Sequence, residues 1–246
     1  MKRITSVAMA AILICSGLAA CSGEGSGSDK SGEGSNNQGT ADGPEADPAA
    51  REDLLWVYLD REDGLNHFRE RSFMGDNYDS VPEMDEAAEA HSGTSGIAAE
   101  LDTAAHTWGG YMFLNGSPEA ESDAGEANGS GTPAGVDLTG AEKLTFYAKG
   151  ESGGEQVEFF TAGFGWEEGL KTAENADSAD KITLGTVGLT KDWQEYEISL
   201  ADADLSSIAC GFAWVVTRDS NPGTGTVRFY MDDISFQFAE GSEAPR

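Results

Sequence analysis

Apolar and polar residues alternate most regularly in two segments of this chain, Trp193-Gln-Glu-Tyr-Glu-Ile-Ser-Leu200 and Lys143-Leu-Thr-Phe-Tyr-Ala148. Successive side chains of a β-strand point to opposite faces of its sheet, so a period of two places the apolar residues on one buried face. Both segments are therefore predicted to be half-buried strands of an antiparallel sheet.

Short runs of the same β type continue on both sides of these segments, divided by Gly, Pro, Asn and Asp. Many short strands at this spacing are typical of a β-sandwich or barrel, and two sheets packed as a jelly roll bury the alternate residues. A single turn of helix is expected at Asp85–His91. The chain is thus predicted to be an all-β jelly-roll sandwich of two antiparallel sheets, with strands at Leu54–Asp60, His67–Phe73, Gly96–Asp102, Trp108–Asn115, Lys143–Lys149, Gln156–Phe164, Ile182–Val187, Trp193–Leu200, Ile208–Thr217 and Thr226–Phe238.

Residues 1–20 have the three parts of an export signal. Lys2 and Arg3 supply positive charge, Val7–Ile14 is an apolar core, and mostly small residues follow. The segment ends in Leu18-Ala-Ala-Cys21, which resembles the lipobox of bacterial lipoproteins. The resemblance implies cleavage before Cys21 and attachment of fatty acyl chains such as palmitate to that residue.

Residues 21–50 are rich in Gly, Ser, Asn, Asp, Glu, Pro and Ala and contain no aromatic residue. Such a segment buries too little apolar surface to offset the entropy of ordering, so a disordered acidic linker is predicted. The jelly-roll domain is expected at residues 51–240, before a tail at 241–246. Because two or more acyl chains anchor a protein stably, we expect the domain outside the cytoplasm, tethered to the cell envelope at the outer membrane or cell surface.

The chain carries 44 Asp and Glu against 15 Lys and Arg, and its formal net charge is -29. Nucleic-acid phosphates repel such a polyanion, so no nucleic-acid partner is expected. Anionic lipid headgroups repel it too, so membrane contact is expected only through the lipid anchor. The acidic residues have two interpretations that stay open, a solvated surface suited to high salt and a surface that steers cations.

The sequence contains neither the Gly-x-Ser-x-Gly motif of a serine hydrolase nor the Gly-x-x-x-x-Gly-Lys motif of a phosphate loop. His67, His91 and His106 lack the spacing of a zinc pair. Cys210 lies in an apolar run, which predicts a buried structural thiol. The protein is therefore predicted not to be an enzyme, although a carboxylate pair for glycoside hydrolysis stays open.

Aromatic residues give the main indication of a ligand. Six lie in or beside strands and loops rich in Gly and Asn: Tyr78, Trp108, Tyr111, Phe113, Trp166 and Trp214. Sugar rings present flat C–H faces that stack on aromatic rings, and flanking glycines let a ligand approach the backbone. Trp108, which precedes Gly109-Gly110, suits an open platform, and Trp214 has charged residues just beyond it. Each ring has an alternative role in filling the core, and the sequence leaves this open.

The last predicted strand places a carboxylate on an apolar face. In Arg228-Phe-Tyr-Met-Asp-Asp-Ile-Ser-Phe236, a period of two puts Asp232 with Tyr230, Ile234 and Phe236. A buried carboxylate needs a partner, and two stay open: a calcium ion, which takes several oxygen ligands, or backbone N–H groups at the rim of the sheet. The first strand is followed by further acids at Asp60, Glu62 and Asp63.

Several of these segments occur in a characteristic order: Gly135–Gly150, Gly154–Phe159, Trp193–Leu200, Gly211–Val215 and Phe229–Ile234. This order resembles bacterial carbohydrate-binding modules of the galactose-binding-like jelly-roll type. The resemblance implies a structural calcium held by Asp232, by Glu62 or Asp63, and by backbone oxygens near Ser92-Gly93. It also implies a concave ligand face lined by Trp108, Tyr111 and Trp214, with polar groups from Arg71, Asp76 and Asn115.

We therefore expect a non-catalytic surface lipoprotein that binds a neutral glycan by aromatic stacking. Two alternatives stay open. The first is a scaffold lipoprotein of the same fold that contacts a protein, and the second is a polysaccharide-degrading enzyme.

Overall fold

The computed structural model describes residues 51–61, 63–77, 83–115, 135–223 and 225–245, apart from the side chains of Glu70 and Glu83. The chain divides into two units, Met1–Glu45 and Ala46–Arg246, and the described residues all belong to the second. The predicted export signal, Cys21 and the predicted linker lie outside the described residues, as do Glu62 and Tyr78.

The described residues form thirteen strands and no helix. In chain order these are β1 (Leu54–Tyr58), β2 (Glu70–Gly75), β3 (Glu83–Ala88), β4 (Gly96–Asp102), β5 (Trp108–Leu114), β6 (Ala141–Gly150), β7 (Gln156–Thr161), β8 (Trp166–Glu167), β9 (Leu170–Lys171), β10 (Ile182–Gly188), β11 (Gln194–Ser199), β12 (Cys210–Thr217) and β13 (Thr226–Phe238). No helix in this part of the chain is long and apolar enough to cross a bilayer.

The strands form two large sheets and one small hairpin. The six-stranded sheet has the order β11-β6-β13-β4-β3, and β1 pairs with β13 as well. The five-stranded sheet has the order β10-β7-β12-β5-β2, and β8 pairs with β9. Every pair is antiparallel. The prediction of an all-β jelly roll with two antiparallel sheets is therefore confirmed.

The two large sheets pack through side chains that alternate along each strand. In β6, Leu144, Phe146 and Ala148 are buried, whereas Tyr147 is partly exposed on the other side. Phe146 contacts Phe159 of the five-stranded sheet, with 4.7 Å between ring centroids. Burial of one such large side chain contributes about 1.5–3 kcal/mol. The period of two thus fixes an inner, core face and an outer face for each sheet.

The segment Asp85–His91 does not form the expected turn of helix. That prediction is wrong because Glu83–Ala88 pairs with β4 as an edge strand. Glu, Met and Ala favour helices in isolation, but pairing with a neighbouring strand outweighs this preference. The sequence also misses β8 and β9, since two residues are too few to show a period.

A β-bulge in β13 reverses the orientation of the residues that follow it. Asp233 has a φ angle of 50°, and the pairing with β6 shifts register between Asp232 and Ser235. Ile234 and Phe236 consequently point into the core, whereas Asp232 lies opposite Tyr147 on the outer side. The prediction that Asp232 shares a face with Ile234 and Phe236 is therefore wrong.

Cys210 is a free cysteine and is fully buried at the beginning of β12. Burial, and after it the charge of Asp177, raises the pKa of its thiol well above the ordinary value. The predicted buried structural thiol is confirmed.

Candidate functional site

The five-stranded sheet carries an apolar cluster on its outer side, of which Met74, Met112, Phe164 and Val215 are partly exposed. Along β5, Tyr111 and Phe113 pack into the core, so Trp108 and Met112 lie on the outer face. Side chains of neighbouring strands join Met112 in an apolar cluster separate from the core: Met74, Met112, Leu114, Phe160, Phe164, Cys210, Ala213 and Val215. We call this cluster, together with Trp108, the first face.

Trp108 begins β5, and its indole is partly exposed. Gly110 has the same orientation two residues further on, and a Cβ atom there would collide with the backbone oxygen of Trp214. No side chain therefore separates Trp108 from Met112 along the strand. Glycine is required at this position because the β12 backbone comes close to it.

Asp76 fixes the residue that precedes Trp108. Its carboxylate accepts hydrogen bonds from the backbone N–H of Thr107, at 2.8 Å, and from the Thr107 hydroxyl. Burial acts against the charged form, but these hydrogen bonds hold the pKa of the Asp76 carboxyl below its ordinary value. Asp76, predicted as a polar partner of a ligand, is thus placed beside Trp108 and orients the start of β5.

The segment between β7 and β10 borders the other end of the first face. Phe164 of this segment packs into the apolar cluster. The indole N–H of Trp166 donates to the backbone oxygen of Asp177 at 2.8 Å, and the Lys171 ammonium lies 5.3 Å from an indole ring centroid. A second, partly exposed indole is thereby held at this end.

Asp177 anchors this segment to the sheet. One carboxylate oxygen accepts the backbone N–H of Phe164 at 2.9 Å, and the other accepts that of Ala209 at 2.5 Å. Burial raises the pKa of the Asp177 carboxyl above its ordinary value, although these hydrogen bonds favour the charged form. Because the backbone of Asp177 also holds Trp166, one buried residue determines where the indole lies.

A polar group adjoins the apolar cluster at Phe160. Lys181 Nζ and Thr183 Oγ1 both bond Glu158 Oε1, at 2.7 and 2.9 Å. Lys181 Nζ also lies 5.4 Å from the centroid of the Phe160 ring. The sequence does not predict this group, because only the pairing of β7 with β10 brings Glu158 and Thr183 together.

Two of the predicted stacking residues point into the core. Trp214 is 0% exposed and packs against Phe229 of the six-stranded sheet, with 5.1 Å between centroids. Tyr111 packs against Trp214 and Phe73, at 5.8 and 5.9 Å. The prediction that Trp214 stacks on a ligand is wrong, because its indole lies on the inner face. Tyr111 also lies on that side, so neither ring joins Trp108.

Arg71 and Asn115 both lie near the end of β5 that is remote from Trp108, since β2 pairs Arg71 with Phe113, two residues before Asn115. The Arg71 guanidinium lies 3.9 Å from the centroid of the Phe113 ring and donates to Glu86 Oε1 at 2.9 Å. Arg71 thus supports the core side of the five-stranded sheet. Asn115 follows the end of β5 that is remote from Trp108, and its backbone N–H bonds the chain just before β12 at 2.8 Å.

Asp232, the carboxylate predicted to hold calcium, is 0% exposed. One oxygen accepts the backbone N–H groups of His91 and Ser92, at 2.7 and 3.1 Å, and the other accepts that of Asp233 at 2.9 Å. Burial, and then the charge of Asp233, raises the pKa of the Asp232 carboxyl to about 7. N–H donors do not fit a calcium ion, which is bound by oxygen atoms. The alternative that the sequence left open, backbone N–H groups, is the arrangement found.

The remaining predicted calcium ligands are placed as follows. Asp63 accepts the backbone N–H of Leu65 at 2.7 Å, and Glu62 lies outside the described residues. Asp60 bonds two backbone N–H groups just before β4, at 2.9 and 2.8 Å. Across the described ranges, no three His, Cys, Asp or Glu side chains are arranged to hold a metal ion. The calcium site stays a prediction, which chelation can test.

No protein-family model matches the sequence, and a search of curated proteins gives no match. Among solved structures, a family 30 carbohydrate-binding module is 14% identical with a TM-score of 0.45, covering 75% of this chain and 98% of the module. A family 11 module from Clostridium thermocellum, in complex with a β-1,3-1,4-mixed-linked tetrasaccharide, is 12% identical with a TM-score of 0.45, covering 74% and 95%. A family 29 module is 12% identical with a TM-score of 0.41, covering 75% and 91%. We assign no ligand to this chain from structures this distant.

Proposed function

We propose that the domain binds a carbohydrate on the first face without converting it chemically. The observation that carries this proposal is that two partly exposed indoles border one apolar cluster: Trp108 shares β5 with Met112 of the cluster, and Trp166 follows Phe164, which packs into it. Trp108 and Met112, both partly exposed, are four residues apart in β5, which corresponds to about 14 Å at 3.4 Å per residue. This length suits a row of sugar rings.

The chemistry of the first face matches that of a sugar chain. Pyranose rings have weakly polar C–H faces, which stack on indoles and pack on Met112 and Val215, while their hydroxyl groups point to the edges. The Glu158 carboxylate accepts hydrogen bonds and the Lys181 ammonium donates them. The pair supplies both kinds of hydroxyl partner beside the apolar cluster.

Charge favours a neutral glycan. The chain carries a net charge of -29, which disfavours the approach of an anionic polysaccharide. Salt screens this repulsion only beyond about 10 Å at 0.1 M ionic strength, which is more than the distance of a bound ligand.

The carboxylates beside the apolar cluster support binding over cleavage. Glycoside hydrolysis uses two carboxyl groups that flank the scissile bond. Glu158 is bonded to Lys181 and Thr183, and the oxygens of Asp177 are turned to backbone N–H groups. Both carboxylates are therefore engaged within the protein.

Affinity electrophoresis in gels containing neutral soluble polysaccharides tests this function. We expect at least one polysaccharide to retard the protein, and the Trp108→Ala and Trp166→Ala variants to migrate faster than the wild type. Leu65→Ala is the matched control, because Leu65 is an exposed apolar residue, at 38%, outside the first face. Equal retardation of all four proteins would remove the first face as the binding site.

We further infer that Cys21 anchors the domain to the cell envelope. The support is the predicted export signal at residues 1–20 and the lipobox-like Leu18-Ala-Ala-Cys21. Expressed in a bacterium with labelled palmitate, the wild-type protein should carry label and sediment with membranes, and Cys21→Ala should do neither. Cys210→Ala is the control, since the thiol of Cys210 is buried. Label that persists in Cys21→Ala would refute the anchor.

A further inference from the structure

A second row of aromatic side chains lies on the outer face of the six-stranded sheet. The pairing of β6 with β13 places Lys149 opposite Tyr230, and the pairing of β11 with β6 brings Trp193 next to Lys149. Lys149 and Tyr230 point outward, because Ala148 and Phe229 beside them are buried. Neighbouring strands are about 4.8 Å apart, so Trp193 and Tyr230 flank Lys149 across the sheet.

The ammonium group of Lys149 connects the two rings. Its Nζ atom lies 5.2 Å from a ring centroid of Trp193 and 5.0 Å from that of Tyr230, and it pairs with Glu89 Oε1 at 2.8 Å. The Tyr230 hydroxyl donates to Glu151 at 2.5 Å. Cation–π contacts and hydrogen bonds therefore set both rings in position before a ligand arrives.

His91 and Tyr147 extend this aromatic row. Their rings are stacked, with 3.6 Å between centroids and 11° between planes, and the His91 ring meets Trp193 edge-on at 5.7 Å. Asp232 accepts the backbone N–H of His91, and Asp233 bonds its Nδ1 atom, each at 2.7 Å. We call the side chains of His91, Tyr147, Lys149, Trp193 and Tyr230 the second face.

Acidic side chains outnumber basic ones around the second face. Lys149 pairs with Glu89 and Arg228 with Glu100, and Glu151, which bonds the Tyr230 hydroxyl, adds a further carboxylate. This excess disfavours an anionic ligand, whereas the hydroxyl groups of a neutral sugar can donate to the carboxylates and accept from the ammonium. Fixed aromatic rings beside carboxylates therefore fit a neutral polyhydroxyl ligand.

We propose that the second face is a further carbohydrate-binding surface, specific for neutral glycans, so that one domain holds two glycan chains at once. The ligand class rests on the proposed function, but the location does not, because the two faces share no residue. Two sites on opposite sheets make the domain bivalent, and bivalent attachment raises avidity without any new contact.

Calorimetric titration of the full chain separates the two faces. The probes are short oligosaccharides of a mixed-linkage glucan, a xyloglucan and a galactomannan. For a probe that binds, we expect two molecules per wild-type protein. Trp108→Ala should weaken the binding of one molecule about 5- to 150-fold in Kd, Trp193→Ala with Tyr230→Ala should weaken the binding of the other, and all three changes together should weaken both. Leu65→Ala, the control, should keep two.

Other results of the titration distinguish failure of the second face from failure of the first. Binding of one molecule that only Trp108→Ala weakens overturns the second face and leaves the first. Binding that only the Trp193→Ala, Tyr230→Ala variant weakens overturns the first face and leaves the second. A protein that binds none of the probes contradicts both. If the double variant fails to fold by circular dichroism, Tyr230→Leu replaces it, with at least a tenfold loss of affinity expected for one of the two molecules.

Discussion

The indole N–H of Trp166 donates a hydrogen bond of 2.8 Å to the backbone oxygen of Asp177, whose own carboxylate is buried against the sheet. The buried Asp177 thus holds the partly exposed indole of Trp166 in position. Preorganisation of this kind lowers the entropy lost on binding, because the ring is ordered before the ligand arrives. The stability of the segment and the binding of a ligand are therefore linked through Asp177.

Replacing Asp177 by Asn should destabilise the domain by about 1–3 kcal/mol. The amide keeps one acceptor oxygen, but its NH2 group then faces a backbone N–H of Phe164 or Ala209. Urea unfolding measures the change. Glu174→Gln is the matched control, because Glu174 is an exposed acid of the same segment. If Asp177→Asn has the same free energy of unfolding as the wild type, the hydrogen bonds of Asp177 do not stabilise the domain.

The same variant should alter the dependence of stability on pH. The pKa of Asp177 is about 3.8 when unperturbed and is raised in the folded state, so between the two values the native protein binds more protons. The stabilising contribution of this group is full below the unfolded pKa and is lost as pH rises through the folded pKa. The difference in unfolding free energy between wild type and Asp177→Asn should therefore shrink as pH rises from about 4. A difference that grows with pH would show that the pKa of Asp177 is lowered, not raised, in the folded state.

Trp214 should matter for folding alone. Its indole is sealed between Tyr111 and Phe229, and truncation of a buried Trp to Ala costs about 3–5 kcal/mol. We expect Trp214→Phe, which keeps an aromatic ring, to lower the urea midpoint and to leave the glycan affinity of the folded fraction unchanged. A loss of glycan affinity in a fully folded Trp214→Phe protein would show instead that Trp214 contacts the ligand.

Chelation tests the calcium prediction. The oxygens of Asp232 accept N–H groups, and a bound ion would stabilise the native state by mass action. The prediction therefore requires a lower melting temperature in excess chelator and its recovery with added calcium, which would make Glu62 the next residue to test. The same melting temperature with calcium and with chelator would refute the ion.

The sequence predicts those features that depend on local alternation. The period of two in Lys143–Ala148 and Trp193–Leu200 identifies β6, β11 and their buried faces, and the structure has strands at both places. The sequence also predicts Trp108 as a surface residue, and its indole is partly exposed.

Features that depend on distant partners are not predictable in this way. The bulge at Asp233 depends on a φ angle of 50°, which the sequence Asp232-Asp233 does not predict. The bulge places Asp232 on the face opposite to Ile234 and Phe236. Trp108 and Trp214 both lie in strands of one sheet, yet their side chains point to opposite faces of it. Glu158 and Lys181 become partners only through strand pairing.

Calorimetric titration of Trp108→Ala with a neutral oligosaccharide that binds the wild type tests the central claim most directly. If the partly exposed indole stacks on a sugar ring, its removal should cost about 1–3 kcal/mol of binding free energy at the first face, which is about 5- to 150-fold in Kd, with an unchanged melting temperature. Unchanged affinity and stoichiometry in a folded Trp108→Ala protein would contradict glycan binding on this surface.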